Sequence, residues 1–252
     1  MIVGRVLVDG EVHLARVDGD TLYLLEGELF DARETGRTAS RAAATFLAPL
    51  RPGKIVCVGR NYRAHAKELG NEVPSEPLLF IKPQTAVIGP DDRVVLPRQS
   101  QRVEHEGELA VLIGKRLHDG TPESARDAIF GYLCANDVTA RDLQKKDVQF
   151  TRGKGFDTFC PLGPWISTER PSPDAAVMVR VNGTQRQRGF LRDMVFGIDD
   201  LVAFISGVMT LEPGDVVLTG TPEGVGQLLD GDTVDVEIDG IGTLRNGVRA
   251  RE

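Results

Sequence analysis

Arg102-Val103-Glu104-His105-Glu106-Gly107-Glu108-Leu109-Ala110-Val111-Leu112-Ile113 sets acidic residues at alternate positions directly before an unbroken apolar run. Read as a strand, its period of two sends Glu104, Glu106 and Glu108 to one face and His105, Gly107 and Leu109 to the other. The continuation into a core-like run argues that the carboxylates are partly buried. Like charges on one face then favour either a raised pKa or a bound cation. Carboxylate oxygens with no cysteine nearby favour Mg²⁺, with Mn²⁺ or Ca²⁺ as further candidates. From spacing alone, a solvated edge strand whose charges deter aggregation fits as well.

Outward from this stretch, further β-branched runs bounded by Gly, Pro or Asp read as strands: Leu78–Ile81, Val94–Leu96, Val177–Val181, Val216–Thr219 and Thr233–Ile238. Helical patterning is confined to Tyr62–Leu69, Pro122–Ala128 and Gly197–Ser206. Strands outnumber helices and no regular βαβ order emerges, so the expected class is α+β, mainly β, with peripheral helices. Residues 2–30 alternate around the hairpin dipeptides Asp9-Gly10 and Asp18-Gly19, which predicts three short antiparallel strands. Pro52-Gly53 precedes the apolar run Ile55–Val58, which divides the chain into a small β-rich N-terminal domain, 1–48, and a larger domain, 49–252.

The 252 residues are 41% hydrophobic, enough for a large core. Thirty Lys+Arg against 37 Asp+Glu give a net charge of −7, so neither nucleic acid nor an anionic membrane is an expected partner. An anionic substrate needs local positive charge. Cys57, Cys134 and Cys160 are scattered and odd in number, which suits a reducing, cytoplasmic setting. Charges interrupt every early apolar run, so no signal segment or membrane span is expected.

Two other groups carry chemistry. Asp137, in Tyr132-Leu133-Cys134-Ala135-Asn136-Asp137-Val138-Thr139-Ala140-Arg141-Asp142-Leu143-Gln144, is a candidate second source of carboxylate or a turn or cap residue. His65 and Glu68, three apart on a helical turn, share one side, where a carboxylate can orient an imidazole for general base work. An ordinary surface His–Glu contact has the same spacing. His13 and His118 lie near turns and suggest no role.

Taken together, GRNYRAHAKE, EHEGELAVLIGK, YLCANDVTARDLQ, GKGFDTFCPLGPW and PGDVVLTGTPEGVG resemble the successive blocks of the fumarylacetoacetate hydrolase family's catalytic domain, over roughly residues 50–250. The resemblance implies a mixed β-roll with surrounding helices, paired into homodimers. It implies Glu106, Glu108 and Asp137 as metal ligands, with Glu104 a neighbour. His65 and Glu68 become the water-activating dyad, and Lys154 supports the dyad and the charge developing on substrate. Lys82, Arg141, Gln144 and Thr221 fall on positions lining the family's site. His105, where an aromatic is usual, and Phe190-Leu191, where Asn-Thr is usual, are departures that bear on substrate.

The expected activity is hydrolytic cleavage of a carbon–carbon bond in an acylpyruvate-like keto acid. Decarboxylation of an oxaloacetate-like acid, or isomerisation of a hydroxydienoate, is the alternative through the same enolate. A metal-stabilised binding protein without turnover is the reading from another class. The glycine-rich 220–226 segment lacks the lysine of a phosphate-binding loop, so nucleotide is not an expected ligand.

Overall fold

The computed structural model describes residues 1–251. The strand Gly107–Ile113 runs through its middle, hydrogen-bonded to Ile129–Asn136 on one side and Val216–Leu218 on the other. Leu109, Val111 and Ile113 enter one core with Val177, Val179, Val234 and Val236; Ala110 and Leu112 enter another with Ile55, Leu133, Leu162 and Ile166. Burial on both faces accounts for a continuous apolar run where a half-exposed strand would alternate.

This strand belongs to a twelve-stranded sheet. From one edge the order is Arg33–Ser40, Thr21–Glu26, Glu11–Asp18, Ile2–Val8, Cys160–Ser167, Ile129–Asn136, Gly107–Ile113, Val216–Leu218, Ile55–Gly59 and Leu78–Lys82, with Thr45–Leu47 and Val87–Ile88 off the path. A five-stranded sheet, ordered Thr184–Phe190, Ala176–Val181, Thr233–Ile238, Gly242–Ala250 and Arg93–Leu96, packs against it. The sheets meet closely at Gly107, where an added Cβ would stand 2.3 Å from Val179 Cγ2, so only glycine fits. The helices Pro122–Ala128 and Ile198–Val208 pack together outside the sheets. Asp199 ties the two helices together and to the segment that follows the strand Cys160–Ser167, accepting from Arg126 and Arg170, each at 2.7 Å. The class is therefore mainly β, as the strand count predicts.

The N-terminal region contains the three antiparallel strands expected over residues 2–30, Ile2–Val8, Glu11–Asp18 and Thr21–Glu26, and goes beyond them. It has four paired strands plus Thr45–Leu47, and Ile2 and Val3 pair with Ser167 and Ile166, so its strands extend the large sheet. It keeps a small core of its own, Val6, Val8, Ala15, Val17, Leu22 and Leu24. The fourth strand, Arg33–Ser40, is almost wholly exposed and polar, and so offers no alternation to read. The strand Cys160–Ser167 was also unpredicted, because Pro161 and Pro164 look like strand breakers. Its pairing with Ile129–Asn136 is correspondingly irregular, with a register shift between Tyr132 and Cys134. Among the described residues no helix is long and apolar enough to cross a membrane.

Candidate active site

The acidic stretch is not one continuous strand. Val103–His105 pairs with Thr139–Ala140 and Gly226–Gln227 in a separate three-stranded sheet, while Gly107–Ile113 lies in the large one. Glu106 sits at the changeover. Its N–H donates to Asn136 Oδ1 at 2.9 Å, and its carbonyl accepts the Asp137 N–H at 2.8 Å, which locks the two acidic segments side by side. The expectation of three carboxylates acting on one strand face is corrected accordingly. Glu104 is taken up by Arg141 at 2.7 Å and by Arg102. Carboxylate oxygens of Glu106, Glu108 and Asp137 lie within 4.8 Å of one another, and all three residues are buried.

Cations account for part of this charge. Lys154 Nζ donates to Glu106 Oε2 at 2.7 Å and Asp137 Oδ2 at 2.5 Å, Lys82 Nζ donates to Asp137 Oδ1 at 2.6 Å, and Arg141 pairs with Glu106. Burial works to raise the Glu106 carboxyl, but Lys154 and Arg141 prevail and hold it well below the usual range. Burial works against the Lys154 ammonium, yet Asp137 and Glu106 push its pKa up to about 12. Glu108 is the exception: its carboxylate has no cation beside it among the described residues and accepts only the Gly220 N–H, at 2.7 Å. Burial, then Asp137 and Glu106, push its pKa well up.

That imbalance is what a divalent ion would correct. Three buried oxygen donors converge, and one is left without countercharge, so the residues present fit a hard cation such as Mg²⁺ or Mn²⁺.

A cavity of about 230 Å³ opens onto the triad, and its lining includes His65, Glu106, Glu108, Asp137, Lys154 and Thr221. His65 lies on the six-residue helix Arg63–Glu68, with Nδ1 3.3 Å from Glu68 Oε2, and is itself buried. Glu68 Oε1 also accepts the Gly224 N–H at 3.0 Å, so the loop after Thr221 holds the carboxylate that orients the imidazole. Gly220 is in the left-handed region at φ 98°, and a Cβ there would stand 2.7 Å from Asn61 Cβ, which makes glycine necessary in this loop.

Several carried-over roles change in detail. Lys154 bonds to the acidic triad, not to the His65–Glu68 pair. Lys82 is fully buried behind Asp137 and is not on the cavity wall. Arg141 and Gln144 reach the wall, but Arg141 is committed to Glu104 and Glu106 and also donates to Gln144 Oε1 at 2.6 Å. Thr221 lines the cavity while its hydroxyl bonds the Gly107 carbonyl at 2.8 Å and Gln187 Nε2 at 2.8 Å. Gln187 was missed by sequence reading. Its Oε1 also accepts from Gly107 N at 3.1 Å and faces His105 Nδ1 at 3.0 Å. No local pattern marks it, since its partners lie far away along the chain.

Comparison with known proteins agrees with this architecture. The fumarylacetoacetate (FAA) hydrolase C-terminal profile matches residues 54–249, and an Rv2993c-like N-terminal profile matches residues 1–49. The human protein named oxaloacetate tautomerase FAHD2A, mitochondrial, is 46% identical over 221 residues, covering 82% of this chain and 70% of its own. A crystal structure of 5-carboxymethyl-2-hydroxymuconate delta-isomerase from Mycobacterium smegmatis superposes with a TM-score of 0.94 at 43% identity, covering both chains fully. A fumarylpyruvate hydrolase from Pseudomonas aeruginosa, solved with Mn²⁺ and pyruvate, is more distant, with a TM-score of 0.75 at 34% identity over 82% of this chain and 92% of its own. With the acidic triad, the dyad and the sheet junction all in place, the chain belongs to the fumarylacetoacetate hydrolase family of enzymes.

Proposed function

We propose that the protein moves a proton within a small keto acid of the oxaloacetate kind, interconverting its keto and enol forms. The observation that carries this reading is the His65–Glu68 pair and the acidic triad opening onto one cavity. This reading stands closer to the sequence's alternative, decarboxylation of an oxaloacetate-like acid or isomerisation of a hydroxydienoate through the same enolate, than to its first expectation of carbon–carbon hydrolysis. Among the relatives whose names state an activity, the tautomerase at 46% identity and the isomerase at 43% are more similar to this chain than the fumarylpyruvate hydrolase at 34%, which supports that order.

In this mechanism His65, held by Glu68, takes the proton from the carbon next to the ketone as the C–C bond becomes C=C, and delivers it to the former keto oxygen to give the enol; ketonisation runs the same transfer in reverse, from oxygen to carbon. Negative charge builds on the keto oxygen. Lys154 keeps its proton near neutrality, so it serves as a fixed positive charge and hydrogen-bond donor rather than as the acid. A divalent ion on Glu106, Glu108 and Asp137 would supply Lewis acidity toward the keto acid's oxygens.

The test follows the ultraviolet absorbance of the enol form of oxaloacetate with Mg²⁺ or Mn²⁺ present. Expected is accelerated loss of enol without release of pyruvate. Pyruvate and carbon dioxide from oxaloacetate would mean decarboxylation; pyruvate and acetate from acetylpyruvate, with no tautomerisation, would return the protein to the hydrolase reading.

A further inference from the structure

We infer that Arg60 and Lys145 receive a second carboxylate of the substrate, so that the cavity selects dicarboxylic over monocarboxylic keto acids. The inference rests on the keto-acid reading above and adds where its specificity comes from. Both residues line the cavity that opens onto the triad. The inner cations cannot serve this purpose: Lys82, Lys154 and Arg141 are all bonded to Asp137, Glu106 or Glu104. Arg60 and Lys145, by contrast, have no acidic or hydrogen-bonding side-chain partner among the described residues. They are the positive charge left available to an incoming anion.

The backbone at Arg60 is built for its position. Arg60 follows the strand Ile55–Gly59 and holds a left-handed conformation at φ 59°, unusual for a side chain of this size. The next residue keeps it there. Buried Asn61 donates from Nδ2 to the carbonyls of Thr219 at 2.8 Å and Phe196 at 3.1 Å, and accepts the Phe196 N–H at 2.9 Å. A strained arginine that is pinned by its neighbour yet pairs with nothing suggests a ligand as its partner. Lys145 lies on another element, the helix Arg141–Lys146, one residue after Gln144, so the two cations reach the cavity from separate segments.

The test is calorimetric binding to the Mn²⁺-loaded protein of two five-carbon keto acids, 2-oxoglutarate and 2-oxopentanoate, which differ in a distal carboxylate against a methyl. The wild type should bind the dianion roughly tenfold tighter or more. The double variant Arg60→Asn, Lys145→Gln, in which Asn tolerates the left-handed backbone, should bring the affinity ratio toward one. The charge-keeping pair Arg60→Lys, Lys145→Arg should restore it, which would not happen if the first variant were merely misfolded. Equal binding of the two acids by the wild type, or a preference surviving in the double variant, would overturn the inference alone. Binding of neither acid would overturn the keto-acid reading and this inference with it.

Discussion

Replacing Glu108 by Gln removes a carboxylate with no cation beside it, whereas replacing Lys154 by Met strips a shared partner from Glu106 and Asp137. The two changes should therefore act in opposite directions. In urea unfolding with EDTA present, Glu108→Gln should be neutral or stabilising, while Lys154→Met should cost about 3–5 kcal/mol, the usual result of breaking a buried pair. For Mn²⁺ affinity, Glu108→Gln should exceed the roughly 10- to 100-fold loss typical of changes outside the ligand set. His65→Gln should lower kcat by about 10²–10⁴-fold in the enol assay, the range for a lost general base, with Mn²⁺ affinity retained. The two-residue spacing of Glu106 and Glu108 was legible in sequence because it sits beside an apolar run. Asp137 was legible only through the family resemblance, since by itself a short Asn-Asp at the end of a strand reads as well as a turn, and it is the bonds from Glu106 to Asn136 and Asp137 that place it beside the other two.

Asp199, near the start of the helix Ile198–Val208, illustrates a contribution made between elements. Burial works to raise its carboxyl, but its bonds to Arg170 and Arg126 win and lower the pKa from the ordinary 3.8. A folded-state value below the unfolded one gives stability that is complete above about pH 5 and fades as the pH falls through 4 toward the folded value. Asp199→Asn should lose about 1–2 kcal/mol at pH 7 and show a shallower decline in acid than the wild type, read by thermal unfolding across pH. Elements whose pattern matched their environment were legible, including Pro122–Ala128 and Thr233–Ile238. The short helix Thr151–Lys154 was not, because one turn leaves too few positions to show a period.

Across the whole molecule, the site lies where the large sheet, the three-stranded sheet and the five-stranded sheet come together, and Gly107 is where two of them touch. Gly107→Ala should force them apart, costing about 1–3 kcal/mol and weakening Mn²⁺ binding at the adjacent Glu106 and Glu108, measurable by unfolding and calorimetry on one sample. This coupling was not legible, since sheet-to-sheet contact depends on residues about seventy positions apart or more, Val179 among them. The charge ledger at the junction has its own outcome. Three buried cations, with the exposed Arg102, already offset most of the charge of the four carboxylates, so the chain should complete its folding in a chelator and take up a divalent ion afterwards. An ion held there would then be an exchangeable reagent rather than a structural rivet, and turnover should follow whichever hard cation is supplied, a dependence that assays of chelator-treated protein across Mg²⁺, Mn²⁺ and Ca²⁺ would read.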